Sequence, residues 1–220
     1  MSTHPITANA SRVMVEQLVA SGIDYVFYNS GSREARFFDS LHANPDIQGV
    51  LALHEGIVTS AAGGYTQVEG DPAVMVVHLG AGLAQCLGQL INVWSASLPV
   101  VVITFAGDTG SFADRVELDL SHTFGPTSIA APFVKASWAV IEPEGLPQAL
   151  RRAIRVAKTP PYGPVHLAIY DRLLEDDVVT TNIIDGKIPG LKVGYPSDDD
   201  VETISSALDA AERPMFYIGD

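Results

Sequence analysis

A chain of 220 residues that is 47% hydrophobic and 18% charged can bury a substantial core and is too apolar for a disordered polymer. Its formal net charge of −13 argues against nucleic-acid binding, which needs a basic surface opposite the phosphates. A single cysteine excludes an internal disulfide framework, and with no signal-peptide pattern and no apolar run of about 18–20 residues, the expected compartment is the cytoplasm, without a membrane.

The spacing predicts a helix from Ala10 to Ala20, where Met14, Val15, Leu18 and Val19 repeat at helical intervals. Thr7 or Asn9 can cap its start, and Gly22 sits where a helix-ending glycine belongs. Asp24 to Tyr28 is a short β-rich run, Asn29-Ser30-Gly31-Ser32 a turn, and Arg33 to His42 a helix with Phe37, Phe38 and Leu41 inward. Gln48 to Leu53 reads as a strand. The helix Gly56 to Val68 places Ile57, Val58, Ala61, Ala62 and Tyr65 on one face, and Gly70-Asp71-Pro72 ends it.

Ala73 to His78 is a buried strand, followed by a helix from Gly82 to Ala96 with Leu83, Cys86, Leu87, Leu90, Ile91 and Trp94 on one stripe. Cys86 reads as a small core hydrophobe. Pro99 to Phe105 has the apolar, β-branched pattern of a central parallel strand. After the polar stretch Gly107 to Ala130 come a strand (Phe133 to Trp138), a helix (Gly145 to Ala157, with Arg151, Arg152 and Arg155 outward) and a strand (Pro164 to Tyr170). This alternation predicts an α/β fold, a parallel sheet with helices on both faces. Residues 1–177 form this domain. The acids, glycines and prolines of 178–196 read as a linker, and 197–220 as the opening of a second α/β domain, cut short, with a helix capped by Ser197 and a strand from Pro214 to Ile218.

Two strand-to-helix junctions stand where an open α/β sheet puts its chemistry. Glu55 ends an apolar strand and opens an apolar helix, so it is expected to be buried or nearly so. It is either a functional carboxylate or an acid stabilised by a helix N-terminus. His54 precedes it, but adjacent residues of a strand point to opposite faces, so both do not face one site. At the second junction His78 is either a proton carrier at the crevice or a satisfied histidine at the sheet edge. Gly80-Ala81-Gly82-Leu83-Ala84-Gln85 follows a strand and opens a helix, as a dinucleotide fingerprint does. Its third position is Gln85, and no acid lies about 20 residues on, so a nucleotide-binding Rossmann-type oxidoreductase is an alternative reading. His122, in the polar loop, is a weaker candidate.

Several segments in one order carry a resemblance. His54-Glu55-Gly56 through Ala62-Gly63-Gly64-Tyr65-Thr66-Gln67 resembles the H-E-x(6)-A-x-G-Y-A motif of thiamine diphosphate-dependent enzymes. Gly80 to Gln85 is similar to their G-P-G-x-x-N segment, Asn92 to Thr104 to their A-x-x-x-x-x-P-V-(V/I)-x-I-T strand, Ala131 to Trp138 to a P-x-x-K element, and Gly163 to Leu167 to a G-P-V-x-L strand. Asn29-Ser30-Gly31-Ser32 resembles the N-P-G-S turn of the benzoylformate decarboxylase type, with Ser30 in place of Pro. The resemblance runs from about Thr7 to Asp177. It is to the N-terminal pyrimidine-binding domain of the acetolactate synthase and benzoylformate decarboxylase-like superfamily.

The resemblance implies a Rossmann-like sheet of six strands and a lyase or transferase that decarboxylates a 2-keto acid, ligates it to an aldehyde or second keto acid, or both. It implies that Glu55 touches N1′ of the cofactor's aminopyrimidine and that Gly80, Gly82 and Gln85 lie near the cofactor. His78 becomes a proton carrier at the substrate, with Ser32 and Asn29 on the substrate side. Thiamine diphosphate and Mg²⁺ are the implied cofactors. The metal motif G-D-G…N belongs to a C-terminal domain outside these residues, so no metal ligand is assigned here and the chain alone is expected to be inactive. FAD in the middle domain stays open. A homodimer or homotetramer with the site at the subunit interface is implied, as is the alternative of a non-catalytic subunit of the same family. The doubled Gly63-Gly64, Ala81 in place of Pro, and Asp108-Thr109-Gly110-Ser111 depart from the family pattern.

Overall fold

The strands at the centre of the sheet are apolar on both sides because helices cover both sides. In the computed structural model, which describes residues 2–107, 125–174, 177–190 and 194–216, the elements run β1 (Thr3–Asn9), α1 (Ala10–Ala20), β2 (Tyr25–Tyr28), α2 (Ala35–Ala43), β3 (Gln48–Leu51), α3 (Glu55–Glu69), β4 (Ala73–Val76) and α4 (Ala81–Ser95). They continue with β5 (Val100–Ala106), β6 (Ala136–Val140), α5 (Leu146–Ala157), β7 (Val165–Tyr170), β8 (Val178–Ile184) and α6 (Asp198–Ala210). Six strands pair in parallel in the order β3-β2-β4-β5-β7-β6. This is the expected α/β architecture.

The two-residue period of the strands divides the core in two. Val74, Val76, Val101 and Ile103 face Leu18 of α1, Phe37 of α2 and Leu150 of α5. Met75, Val77, Val100 and Val102 face Val58 and Ala62 of α3 and Leu83, Cys86 and Leu90 of α4. Three residues expected inward are exposed: Ile57 of α3 and Ile91 and Trp94 of α4 each keep about half of their surface in solvent. The apolar stripes of these helices are wider than the surface the sheet offers them.

Residues 178–196, expected as a linker, begin instead with a strand. β8 pairs antiparallel with β1 over seven residues, from Asn9↔Val178 to Thr3↔Ile184. Gln17, buried on α1, completes the ribbon: its Oε1 accepts from the Ile184 N–H (2.9 Å) and its Nε2 donates to the Ile184 carbonyl (3.1 Å). Arg151, expected to point outward from α5, is buried and donates from Nη1 to the Gly186 carbonyl (2.7 Å). The first compact unit therefore extends to Pro189. In the second, Gly190–Asp220, α6 opens with a capping box in which Ser197 and Asp200 bond each other's backbone N–H. Of the strand expected over 214–218, residues 214–216 carry no regular structure and the rest lies outside the described residues.

Candidate active site

Three loops meet at the carboxyl edge of the neighbouring strands β3, β2 and β4, the edge at which open parallel sheets bind ligands. The loop after β2 starts with Asn29, whose N–H donates to the Val76 carbonyl of β4 (3.3 Å). Two residues on, the Gly31 N–H donates to Glu34 Oε2 (2.8 Å), while Glu34 Oε1 lies 3.0 Å from His78 Nδ1. Glu34 is fully buried and His78 is a quarter exposed, so the pair runs from the interior to the crevice. Gly31 has no room for a side chain: a Cβ there would stand 2.5 Å from His78 Nδ1 and 2.7 Å from Glu34 Oε2. Arg33 pairs with Asp171, just after β7, and Arg36 donates to the Leu174 carbonyl (3.1 Å), so this loop is tied down at both ends.

The loop after β3 delivers Glu55 as the first residue of α3. His54 is not its partner. The His54 ring turns onto the helix end, where Nδ1 accepts from the Gly56 N–H (3.0 Å) as the N-cap. Glu55 is half-buried rather than buried. Its backbone carbonyl accepts from Thr59 Oγ1 (2.9 Å), but among the described residues no hydrogen bond reaches its side-chain oxygens.

After β4 the chain turns at Gly80, whose φ of +76° lies in the region that favours glycine, and enters α4. The helix approaches backbone first. A Cβ on buried Gly82 would stand 3.0 Å from Glu55 Oε1 and 3.2 Å from His78 Cβ, so this glycine separates the two side chains with nothing but backbone. Beneath them, burial pushes the Cys86 thiol up to about 12, opposed by a hydrogen bond with Thr59 and reinforced by nearby Glu55, so it is no nucleophile at neutral pH.

The structure thus brings Glu55, His78, Gly80, Gly82 and the Asn29 turn to one edge. Ser32 and Gln85 are exposed, and no hydrogen bond among the described residues joins either to Glu55 or His78. His122 and Asp108 to Ser111 lie outside the described residues. Glu34 escaped the sequence reading although a signal was there. Residues 34, 37, 38 and 41 are spaced i, i+3, i+4, i+7, so Glu34 continues the buried stripe of Phe37, Phe38 and Leu41. Among the described residues, no group of three or more His, Cys, Asp or Glu side chains is placed to hold a metal ion, and no helix is long and apolar enough to cross a membrane.

Residues 8–124, more than half of the chain, match the family model of thiamine pyrophosphate enzymes, N-terminal TPP binding domain. The chain belongs to this family. Benzoylformate decarboxylase of Pseudomonas aeruginosa is 34% identical over 157 residues, which cover 71% of this chain and 29% of that protein. The acetolactate synthase large subunit of Lactococcus lactis is 24% identical over 96% of this chain and 36% of its own length. Among solved structures, the thiamine diphosphate-dependent 4-hydroxybenzoylformate decarboxylase of Rhodococcus jostii superposes with a TM-score of 0.76 at 27% identity, over 94% of this chain and 38% of that one. The chain spans well under half the length of these relatives. The Gly80 turn is accordingly part of a thiamine diphosphate-binding domain, and the oxidoreductase alternative finds no support among them.

Proposed function

We propose that this chain supplies the aminopyrimidine half of a thiamine diphosphate site in an enzyme that breaks or makes a C–C bond next to a carbonyl. The substrate class is a 2-keto acid, decarboxylated or ligated to an aldehyde or second keto acid. One observation carries the reading. The Glu55 carboxylate stands half-buried at the carboxyl edge of the sheet with no hydrogen-bond partner among the described residues, beside a glycine that leaves its flank open. A carboxylate serving only to stabilise its helix would turn onto the free N–H groups. Here His54 already does that work, and Glu55 is left for a ligand.

The residues fit an aminopyrimidine. Glu55 would bond its ring nitrogen N1′, and Gly80 and Gly82 would let the ring lie against backbone, with Gln85 on the next turn of α4. When bound, thiamine diphosphate supplies a carbon nucleophile for the carbonyl and an electron sink for the bond that breaks. His78, held at Nδ1 by Glu34, presents Nε2 as the nitrogen that takes or gives a proton at the substrate. Asn29 and Ser32 line the substrate side of the same edge. Mg²⁺, the diphosphate and any flavin are left to parts of the enzyme outside these residues.

The test is Glu55→Gln in the enzyme assembled with thiamine diphosphate and Mg²⁺, assayed on a panel of 2-keto acids for CO₂ release and acyloin formation. Removing a proton-handling carboxylate is expected to cost about 10²-fold or more in kcat. Wild-type turnover in that variant would overturn the role given to Glu55. The ratio of the two products separates decarboxylase from carboligase.

A further inference from the structure

We propose that Glu34 is the positioning residue for His78: its buried carboxylate fixes the imidazole's tautomer and orientation, so that proton exchange at the site runs through Nε2. The proposal rests on the reading of His78 as the proton carrier.

The energetics single Glu34 out. A carboxylate taken fully out of water is costly unless its oxygens are bonded, and Glu34 is fully buried. Its two hydrogen bonds both serve the site rather than the packing of α2. Oε2 accepts from the Gly31 N–H at 2.8 Å, and Oε1 meets His78 Nδ1 at 3.0 Å. An ionised carboxylate only accepts, so the shared hydrogen sits on Nδ1 and Nε2 becomes the basic nitrogen of the neutral ring. When Nε2 takes a proton, the imidazolium remains paired with the acid behind it. This is the base-and-orienter arrangement by which hydrolytic triads hold their histidine, here spanning two sheet loops.

The surroundings support the assignment. The Gly31 backbone is pressed against both members, so the turn after β2 acts as the spacer that sets their separation. Asn29 ties the same turn to β4, two residues before His78, and Arg33 anchors its other side to Asp171. Across Gly82 from His78 lies Glu55. Among the described residues the Glu34 carboxylate is bonded to His78, and no hydrogen bond joins Glu55 to that ring.

The first experiment needs no variant and no turnover. ¹⁵N-edited NMR of the imidazoles in the full protein, with His78 assigned through His78→Gln, reports which nitrogen carries the hydrogen. The expected result at neutral pH is hydrogen on Nδ1 in wild type and loss of that single tautomer in Glu34→Gln. A neutral ring protonated at Nε2 in wild type would overturn the proposal. The second experiment is kinetic, on the enzyme with thiamine diphosphate and Mg²⁺. Glu34→Gln is expected to lower kcat about 10–100-fold with KM changed less than about 3-fold, and to cause no further loss in a His78→Ala background. An equal loss in both backgrounds would show that Glu34 acts independently of His78 and would overturn it too. If no 2-keto acid is turned over by wild type, the reading of function fails, while the tautomer result still decides whether Glu34 holds His78.

Discussion

His166, the second residue of β7, has both ring nitrogens satisfied: Nε2 with Thr104 Oγ1 and Nδ1 with Ser137 Oγ, each at 2.8 Å. The arrangement looks like a catalytic relay, but it is sealed in the sheet, and burial pushes the ring's pKa down to about 4. An unfolded histidine titrates near about 6.5, so between those values the unfolded chain binds the extra proton and the folded one does not. Stability is therefore complete above about pH 6.5 and falls as the pH drops toward 4, by up to about 3 kcal/mol from this residue. Urea unfolding across that window should show the decline, and the His166→Gln protein should show a shallower one. Equal slopes would mean that His166 titrates in the folded state much as it does in the unfolded chain. At this scale the sequence was uneven evidence. Glu55 was legible because position and a long motif agreed on it. Glu34 was not, because an acid after a turn looks like an ordinary helix start until its burial is known. His166 gave no sign of its partners, since Thr104 and Ser137 sit on the two neighbouring strands and reach it only through the sheet register.

The elements are also tied together at the edge of the sheet opposite the site, where the strands begin. Lys135, just before β6, sends its ammonium to the C-terminus of α5, donating to the carbonyls of Val156 (2.8 Å) and Thr159 (2.6 Å). A cation there meets both the last carbonyls of the helix and the negative end of its dipole. The lysine stem lies on Gly163, where a Cβ would stand 2.9 Å from Lys135 Cδ. Lys135→Met keeps the stem and removes the ammonium. It should cost about 1–3 kcal/mol, seen as a lower urea midpoint with an unchanged m-value, and no loss would reduce the contact to a surface pair. The helices and parallel strands were legible because their apolar periods are long. The β1–β8 ribbon was not, although Val178 to Ile184 is rich in β-branched residues. The acids before it and Gly186, Pro189 and Gly190 after it dominate the composition, and its partner lies at the far end of the chain. Arg151 was misread because periodicity marks a charged residue as outward, and nothing local announces the Gly186 carbonyl that receives it.

On the whole molecule, α3, α4 and the residues leading into α3 expose several large apolar side chains among their polar ones. Ile57 is 58% exposed, Ile91 50% and Trp94 47%, and Leu53, just before Glu55, is 88% exposed. The sequence assigns Ile57, Ile91 and Trp94 to a core, and the fold does not enclose them. A hydrophobic stripe in a sequence cannot say whether its cover comes from the same chain or another. At a formal net charge of −13, two copies repel at long range, so any pairing must be driven by apolar burial, as this patch would allow. Glu55 lies in the chain between exposed Leu53 and Ile57, which would place its carboxylate, without a hydrogen-bond partner among the described residues, beside a subunit boundary. The prediction is that the protein self-associates through the α3–α4 face. Sedimentation velocity at micromolar concentration should show a dimer or larger species. Ile57→Asp with Ile91→Asp should shift it to the monomer without loss of helical signal, because neither side chain is buried in the single chain. Wild-type protein that sediments as a monomer, or a double variant that still associates, would place the contact elsewhere. Loss of thiamine diphosphate-dependent activity together with association would show that the Glu55 edge works only when a second copy closes it.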